Sequence, residues 1–296
     1  MGARKVRPWF HGFVRDGWGV SLNPHAKQPA SPATIFKSIR ANRTLIMQMA
    51  WRDVVGRYRG SMMGLVWSFL NPILMLLVYT FVFSVVFKAK WGGVDEGRVQ
   101  FALVLFVGLI VHGLFAEVLN RSPSLIVGNV SYVKRVVFPL EVLPFIALLS
   151  ALFHTLVSVL VFLVAFATIS GHLSWSMLLA PLVFFPLILL SVGLSWFLAS
   201  LGVFVRDISQ AIGIITTVML FMAPVFFPLS ALPDSYHIYI MANPLTFIIE
   251  QAREVLVWGR MPDFLGLATY SVVALLTFFG GFFWFQKTRK GFADVL

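Results

Sequence analysis

The sequence contains no cysteine. This absence excludes disulfide bonds, a thiol nucleophile and cysteine metal ligands. The phosphate-binding pattern G-x-x-x-x-G-K-[ST] and the zinc pattern H-E-x-x-H are missing too, so we expect neither ATP hydrolysis nor zinc chemistry here. We therefore expect this chain to hold no metal and no cofactor of its own.

Charged residues are also scarce. They make up 12% of the 296 residues, whereas 59% are hydrophobic and the mean hydropathy is +0.87. This composition is typical of an all-α polytopic membrane protein and leaves no room for a large soluble domain. The net charge is +11, but the basic residues flank apolar runs, where they bind lipid headgroups. We therefore expect membrane lipids, and not nucleic acid, to be the partner of this positive charge.

An uncharged run over residues 62–87 follows Arg52, Arg57 and Arg59. The run exceeds the roughly 20 residues that cross a bilayer. Because basic residues are retained on the cytoplasmic side, these arginines place the start of the first span inside. Pro72 interrupts the run and removes a backbone donor, which produces either an ordinary kink or a functional bend.

Five further apolar runs follow the first span. They cover about residues 99–119, 142–169, 177–205, 208–221 and 264–285. Six spans place both termini in the cytoplasm, and the basic residues agree with this orientation, since most of them then lie inside. Only five of the 23 Lys and Arg residues fall outside, namely Lys88, Lys90, Arg98, Arg253 and Arg260.

The segment before the first span has two parts. Residues 1–30 are basic and rich in Gly and Pro, and we interpret them as a flexible cytoplasmic arm. Residues 31–60 carry apolar side chains at helical spacing with basic residues between them, which predicts an amphipathic helix at the inner membrane interface. Packing of this helix on a partner protein is the alternative. The transmembrane domain then covers residues 31–290, and 291–296 form a tail.

Residues 222–263, between the fifth and sixth spans, are too apolar for a solvent loop and contain five prolines. This pattern predicts a re-entrant or interfacial hairpin on the outer side. Non-helical backbone at membrane depth must be buried in protein or line a cavity, so the hairpin is expected to border a pathway. Asn243 before Pro244 predicts the start of a helix that extends to about Trp258.

Few ionisable residues lie within the spans. Glu117 precedes Arg121 by four residues, which predicts an ion pair at a helix end. His154 lies well inside the third span, where it either bonds to a neighbouring helix or has a functional role. Aromatic faces stack on the apolar faces of sugars, which makes three tyrosines candidates for a sugar path. These are Tyr79, Tyr236 and Tyr239.

Three stretches resemble one known family. They are RYRGSMMGLVWSFLNPILMLLVYTFVFSVVF at 57–87, NVSYVKRVVFPLEVLP at 129–144, and APVFFPLSALP followed by ANPLTFIIEQAREVL. Together they resemble the membrane subunit of type-2 ABC exporters for polysaccharides, the family that exports O-antigen, teichoic acid and capsule. The resemblance covers about residues 35–290 with the same order of six spans, and it leaves out the first thirty residues.

The resemblance implies a permease subunit and not an enzyme. Two copies of this chain and two copies of an ATPase subunit, which holds the ATP and Mg²⁺, would form the exporter in the bacterial inner membrane. The cargo would be a lipid-linked polysaccharide, carried on undecaprenyl pyrophosphate in the O-antigen case, with teichoic acid or capsule as alternatives. Residues 121–138 would couple to the ATPase, and the hairpin 222–263 would close the external mouth of the pore.

Two groups of site residues follow. Arg52, Arg57 and Arg59 are expected to attract the lipid diphosphate, because guanidinium forks match phosphate oxygens, or else merely to orient the span. Asp53 is expected to neutralise Arg57, four residues on. Contacts to the ATPase are expected in the 121–138 loop, where an added charge should uncouple transport without disturbing the fold. These contact residues are Leu125, Ile126, Val130, Lys134 and Arg135.

Two other classes of protein remain as alternatives. A membrane glycosyltransferase acting on a polyprenyl phosphate would need an acidic pair at the membrane face, to hold a metal or act as a base. The adjacent acids Asp95 and Glu96 lie instead in the short external loop. An energy-independent channel or scaffold would leave the internal loop without a purpose.

Overall fold

The computed structural model describes residues 31–86, 98–134 and 138–296. Every regular element in these segments is helical, as is required where the backbone must satisfy its own hydrogen bonds in lipid. The α-helices are α1 (Pro32–Ala41), α2 (Arg43–Arg57), α3 (Trp67–Tyr79), α4 (Arg98–Arg121), α5 (Ser124–Val127), α6 (Val130–Lys134), α7 (Leu143–Ser170), α8 (Ala180–Phe204), α9 (Ile208–Phe221), α10 (Asp234–Met241), α11 (Pro244–Leu256), α12 (Phe264–Thr288) and α13 (Phe292–Val295). A π-helix covers Thr80–Val86, and 3₁₀ turns cover Gly64–Val66, Leu140–Val142, Trp175–Leu179, Leu229–Ala231 and Arg289–Gly291.

Some of the sequence predictions fall outside the described residues. These are the arm at 1–30, the acids Asp95 and Glu96, and Arg135. Lys134 lies in α6, but its side chain is not described.

Five stretches in the described part of the chain are long and apolar enough to cross a bilayer. They are Gly64–Phe83, Phe101–Arg121, Leu140–Ser170, Trp175–Phe204 and Phe264–Val295. They match five of the six expected spans, so the chain is a multi-pass membrane protein. The expected fifth span is α9, which has 14 residues and reaches about 21 Å. Because a span needs roughly 20 residues, the total of six stays a prediction.

The core is built around α4 and the α8–α12 pair. In the most apolar part of the α4 span 78% of the residues are buried, against 6% in the α3 span. Lipid gives helices no hydrophobic reason to associate, so close packing depends on small residues. At the crossing of α8 and α12, a Cβ on Gly193 would lie 2.5 Å from the Thr277 carbonyl oxygen. Glycine at this crossing therefore allows the backbones to touch beside the fully buried Trp196.

The amphipathic segment before the first span forms two helices, α1 and α2, where one was expected. Asn42 separates them, and its side-chain amide donates to the Ser38 carbonyl at 2.8 Å. Asparagine favours helix ends because it offers the backbone such an alternative hydrogen bond. The buried face of α2 packs on α7. It consists of Ile46, Ala50 and Val54.

The segment 222–263 also contains two helices, α10 and α11. The start of α11 is where the sequence predicts it, because the Asn243 side chain accepts the Leu245 amide at 3.0 Å and Pro244 occupies the first turn. The sequence pattern does not predict α10, which begins at Asp234 directly after Pro233. α11 is buried against α4 and α8, whereas α10 is largely exposed. The two legs of the hairpin therefore differ in how firmly they are held.

Candidate functional site

The charged face of α2 meets the end of α4. Arg121, the last residue of α4, donates from Nη2 to both carboxylate oxygens of Asp53, each at 2.7 Å. This contact corrects the expectation that Asp53 neutralises Arg57, since the carboxylate joins two helices instead. The side chains of Arg121 and Asp53 are 28% and 31% exposed, so water screens the pair and its contribution to stability is modest.

Arg57, at the end of α2, contacts α4 and α7 together. Its Nη2 lies 2.5 Å from Oε1 of Glu117, and its Nη1 lies 3.3 Å from Nδ1 of His154. The expected pairing of Arg121 with Glu117 along α4 is present but long, with Nη1 4.0 Å from Oε1, and the same guanidinium binds Asp53 more closely. The ionisable groups of the second and third spans therefore form one cluster with α2.

His154 has two partners that need different protonation states of one atom. Its Nδ1 lies 3.2 Å from Glu117 Oε1 and 3.3 Å from Arg57 Nη1. Donation to Glu117 requires a proton on Nδ1, whereas acceptance from Arg57 requires a free lone pair. The histidine thus bonds to a neighbouring helix, as the simpler of the two sequence interpretations has it. The two contacts are alternatives, so the cluster can exchange hydrogen-bond partners.

A cavity of about 290 Å³ lies on one side of Arg57, between α3, α4 and α7. Glu117 and His154 form its charged wall, and Tyr79 lines it where α3 widens into the π-helix. Pro72 lines it too, so the interruption in the first span borders a polar cavity. The remaining polar lining consists of Tyr58, Ser68, Asn71, Thr155 and Ser158.

A second cavity, of about 420 Å³, lies on the other side of Arg57, between α2, α5 and α7. Arg52, Arg57 and Arg121 line it together with one carboxylate, Asp53. The Nη1 atom of Arg121 is buried there without a hydrogen-bond partner among the described residues. Three guanidinium groups face Asp53 in the cavity wall and Glu117 beyond Arg57, so the charges around this cavity sum to about +1 and leave it electropositive.

Two of the three arginines of the predicted site lie at this cavity. Arg52 and Arg57 line the second cavity, whereas Arg59 follows the end of α2, is exposed and lines neither cavity. Arg121 lines this cavity as well. Sequence reasoning missed Arg121 because its spacing from Glu117 already explained it as a helix-end ion pair.

The loop that contains α5 and α6 is fastened to the bundle at its beginning. The Ser122 hydroxyl donates to the Ser195 hydroxyl at 2.6 Å, and a Cβ on Gly202 would overlap with the Pro123 carbonyl. Leu125 is 9% exposed and Ile126 is fully buried. In the single chain these two side chains pack into the bundle, so a charge placed on either would be buried, and the prediction that such a charge leaves the fold intact stays untested.

Other residues of this loop remain accessible. Val130 is half-buried, and Tyr132 accepts a hydrogen bond from Arg52 Nη2 at 3.3 Å, which links α6 to α2. The exposed residues of the described loop are Ser124, Gly128 and Ser131. Within the described part of the loop, these three residues and the half-buried Val130 are accessible to a partner.

At the other end of α4, Arg253 of α11 is fully buried. Its Nε donates to the Val104 carbonyl at 3.2 Å, Nη2 to the Val225 carbonyl at 3.1 Å and Nη1 to Glu250 at 2.8 Å. Burial lowers the pKa of Arg253 to about 10, against the opposing effect of Glu250, so the side chain stays charged at neutral pH. From the sequence, Arg253 is only a basic residue outside the spans, whereas in the structure it links α11 to α4 and to the segment around Val225.

The remaining two tyrosines of the expected sugar path lie on α10. Tyr236 and Tyr239 are 57% and 62% exposed, and neither lines the cavity that contains Tyr79. Within the described residues of a single chain, the three tyrosines are not brought together.

The short helix α9 is held by polar contacts on two sides. Nε2 of His112 lies 2.9 Å from the Thr216 carbonyl, and the Thr216 hydroxyl lies 3.1 Å from Asn120 Oδ1. At the end of α9, the Asn243 amide donates to the Met219 carbonyl at 2.8 Å. These bonds join α9 to α4 and to the start of α11.

Comparisons with known proteins agree with the sequence resemblance. A family model described as ABC-2 type transporter matches residues 44–257. The O-antigen export system permease protein RfbA of Myxococcus xanthus is 29% identical over 147 residues, which are 50% of this chain and 54% of that protein. A protein of the same name from Klebsiella pneumoniae is 28% identical over 134 residues, which are 44% of this chain and 49% of that protein.

The matched region spans about half the length of these curated relatives. The family model, in contrast, covers most of this chain, from the start of α2 to the end of α11. The resemblance to membrane subunits of type-2 ABC exporters is confirmed, and the chain belongs to the ABC-2 type transporter family.

Proposed function

We propose that this chain is the membrane subunit of an ATP-driven exporter of lipid-linked polysaccharide, of the O-antigen type carried on undecaprenyl pyrophosphate. The observation that carries the proposal is the 420 Å³ cavity, where Arg52, Arg57 and Arg121 surround a single carboxylate. The names of the relatives support the cargo, since both are O-antigen export permeases. A diphosphate is the part of such a cargo that an arginine-lined cavity would recognise.

The arginines of this cavity differ in how freely they can bind an anion. Arg52 donates to the Tyr132 hydroxyl and has no carboxylate partner among the described residues. Arg57 and Arg121 are paired with Glu117 and Asp53. A diphosphate would bind Arg52 first and then compete with the two carboxylates, because guanidinium forks bind phosphate oxygens in two parallel hydrogen bonds. Binding of the cargo would thereby break the contacts between α2 and α4.

The exporter would contain two copies of this chain, each with six spans and both termini in the cytoplasm of a bacterial cell. The α3 span exposes apolar side chains, which supports contact of this helix with a second copy of the chain or with lipid. They include Phe69, Leu74, Met75, Leu77 and Val78. In this arrangement α9 is the fifth span, and the exposed leg of the hairpin, with Tyr236 and Tyr239, closes the external mouth of the pore.

The loop at 121–138 would transmit the conformational change driven by ATP hydrolysis to this chain. Two ATPase subunits, which hold ATP and Mg²⁺, would dock on the exposed residues Ser124, Gly128 and Ser131 and on Val130. The proposal is supported by the attachment of α6 to α2 through the Tyr132–Arg52 hydrogen bond. Movement of the loop would therefore reach the arginine-lined cavity directly.

The test is co-expression of this chain with a candidate ATPase subunit, followed by purification and reconstitution in proteoliposomes. We expect the two to copurify and to move an undecaprenyl-diphosphate-linked oligosaccharide only when ATP is present. The control is an ATPase whose phosphate-loop lysine is replaced by alanine, which tests whether transport depends on ATP hydrolysis. Vesicles that move teichoic acid or capsular precursors instead would change the cargo, and a chain that copurifies with no ATPase would contradict the proposal.

A further inference from the structure

Glu141 lies in the 3₁₀ turn before α7 and is 5% exposed. Its Oε2 lies 2.8 Å from Nη1 of Arg289, and its Oε1 accepts a hydrogen bond from the Ser38 hydroxyl at 2.8 Å. Its main-chain carbonyl accepts the indole N–H of Trp196 at 3.0 Å. One buried acid therefore binds α1, α8 and the end of α12 at the same time.

Arg289 extends this junction to the loop. While Nη1 binds Glu141, Nη2 donates to the carbonyl of Phe138 at 3.3 Å. Phe138 follows α6 in the chain, and its ring stacks on Tyr132 at a centroid distance of 4.5 Å. The guanidinium fork thus ties the far end of the loop to α12, just as Ser122 and Gly202 tie the near end to α8.

The C-terminal segment strengthens the same attachment. Phe292 of α13 is fully buried between Phe204 of α8 and Phe285 of α12, and α13 also packs against α6. The side chains of Arg289 and Glu141 are 11% and 7% exposed, so solvent screens this pair little. Removal of one member would leave the other charge buried and unpaired, which is far more disruptive than loss of an exposed pair.

An acid is favoured at a helix N-terminus, and this preference alone would account for an acid at position 141, before α7, even if it had no partner. It does not explain why Arg289 lies 148 residues away in sequence and binds both the acid and the loop. We propose that Glu141 and Arg289 are positioning residues that fix the far end of the loop to the α8–α12 pair. A displacement of the loop is then transmitted to α8 and α12. This role of the two helices rests on the proposed coupling of the loop to the ATPase.

The test measures backbone amide hydrogen exchange over residues 129–134 in the purified full-length chain. Arg289→Lys keeps the charge and the pairing with Glu141, but one ammonium cannot reproduce the fork that also reaches Phe138. We expect amide exchange in this segment to become about tenfold faster in R289K, the effect of one lost charge-assisted hydrogen bond, and faster still in Glu141→Gln. The matched control is Glu254→Gln, which removes an acid whose arginine partner, Arg260, lies 3.8 Å away and is exposed.

Loop exchange in R289K equal to that of the unmodified chain would overturn the proposal. A general rise across all helices in R289K would overturn it too, because the residue would then support the fold as a whole. If E141Q does not fold, R289K alone decides the outcome.

A second measurement separates this inference from the proposed function. R289K should loosen the loop in the chain alone and should also lower the amount of polysaccharide exported per ATP hydrolysed in the reconstituted complex. If amide exchange in the loop becomes faster but the amount of polysaccharide exported per ATP does not change, the attachment of the loop by Arg289 is established and the proposed ATPase role of the loop is contradicted. If amide exchange in the loop is unchanged but the amount of polysaccharide exported per ATP changes, Arg289 is not a positioning residue for the loop.

Discussion

The central helix α4 connects two regions that hold their charges in different ways. At its end, Arg121 and Glu117 pair with Asp53 and Arg57 of α2, and all four side chains keep contact with water. Near its start, the Val104 carbonyl accepts a hydrogen bond from Arg253, which has no exposed surface. The two sites are 17 residues apart in sequence, or about 26 Å along the helix.

The difference indicates which end of the bundle can rearrange. Around α2, two acids and two arginines lie so close that Glu117 is within 4.0 Å of both guanidinium groups, and an exchange of partners leaves no charge alone. Arg253 is fully buried and binds two backbone carbonyls and Glu250, so its displacement would break all three contacts of a buried charge. We infer that α11 stays fixed to α4, while the charged face of α2 can rearrange.

The largest expected effect is at the fixed end. Arg253→Met keeps the apolar part of the side chain but removes every hydrogen bond of the guanidinium, which leaves the carbonyls of Val104 and Val225 without their donor and Glu250 without its partner. We expect a loss of about 3–5 kcal/mol in the free energy of unfolding, measured as the lowered thermal unfolding midpoint of the detergent-purified chain. Arg260→Met, at a side chain 72% exposed, is the control and should change little. Equal stability of the two variants would show that Arg253 does not hold the hairpin.

The next effect is at the attachment of α5 to α8. A Cβ at Gly202 would overlap with backbone atoms of Pro123, so Gly202→Ala should push the loop away at a cost of about 1–3 kcal/mol. We expect reduced association with the ATPase, measured by copurification, while the five apolar spans stay intact. Gly213→Ala is the matched control, because its Cβ would meet nothing within 4 Å. Full ATPase binding by G202A would contradict the coupling role of this loop.

A smaller effect is expected for the pair that joins α2 to α4. Asp53→Ala and Arg121→Ala should each cost about 1 kcal/mol or less, because both side chains are nearly a third exposed. A double-mutant cycle based on thermal unfolding would measure their coupling energy. The exchanged pair, Asp53→Arg with Arg121→Asp, should recover most of the coupling. If the coupling energy of Asp53 and Arg121 exceeds that of the buried Glu141–Arg289 pair, the expectation that the buried pair contributes more to stability is wrong.

Conservative changes in the arginine-lined cavity should leave stability unchanged and affect only export. Lysine keeps the charge but loses the planar fork, so Arg52→Lys and Arg57→Lys should each lower the rate of polysaccharide export in proteoliposomes. Arg59→Lys is the control, because Arg59 lines neither cavity. Undiminished export by the Arg52 and Arg57 variants would mean that these residues only orient the first span.

The last prediction tests which end faces which compartment and should disturb the protein least. The chain has no native cysteine, so single cysteines at Ser124 and at Met261, both exposed, give labelling without background. A membrane-impermeant maleimide should label position 261 in intact cells and position 124 only after permeabilisation. The reverse result would invert the predicted topology.

Much of the fold follows from local signals in the sequence. The five stretches long and apolar enough to cross a bilayer follow from long uncharged runs, and the start of α11 follows from Asn243 and Pro244, since capping depends on neighbouring residues only. The break between α1 and α2 at Asn42 was not predicted, although asparagine is a weak helix former. The apolar spacing continues across Asn42 and predicts one helix, whereas the side-chain hydrogen bond to Ser38 ends the first.

The sequence by itself determined the helical class, the apolar spans and the family, because these depend on composition and on patterns within one segment. Only the tertiary structure decided the partners of the charges. Asp53 pairs with Arg121 at a separation of 68 residues, and Glu141 with Arg289 at 148, although a nearer partner had been expected for Asp53. The physical reason is that a charge is stabilised by the opposite charge that packing brings closest in space, most strongly where burial lowers the dielectric constant, and sequence distance does not enter that energy.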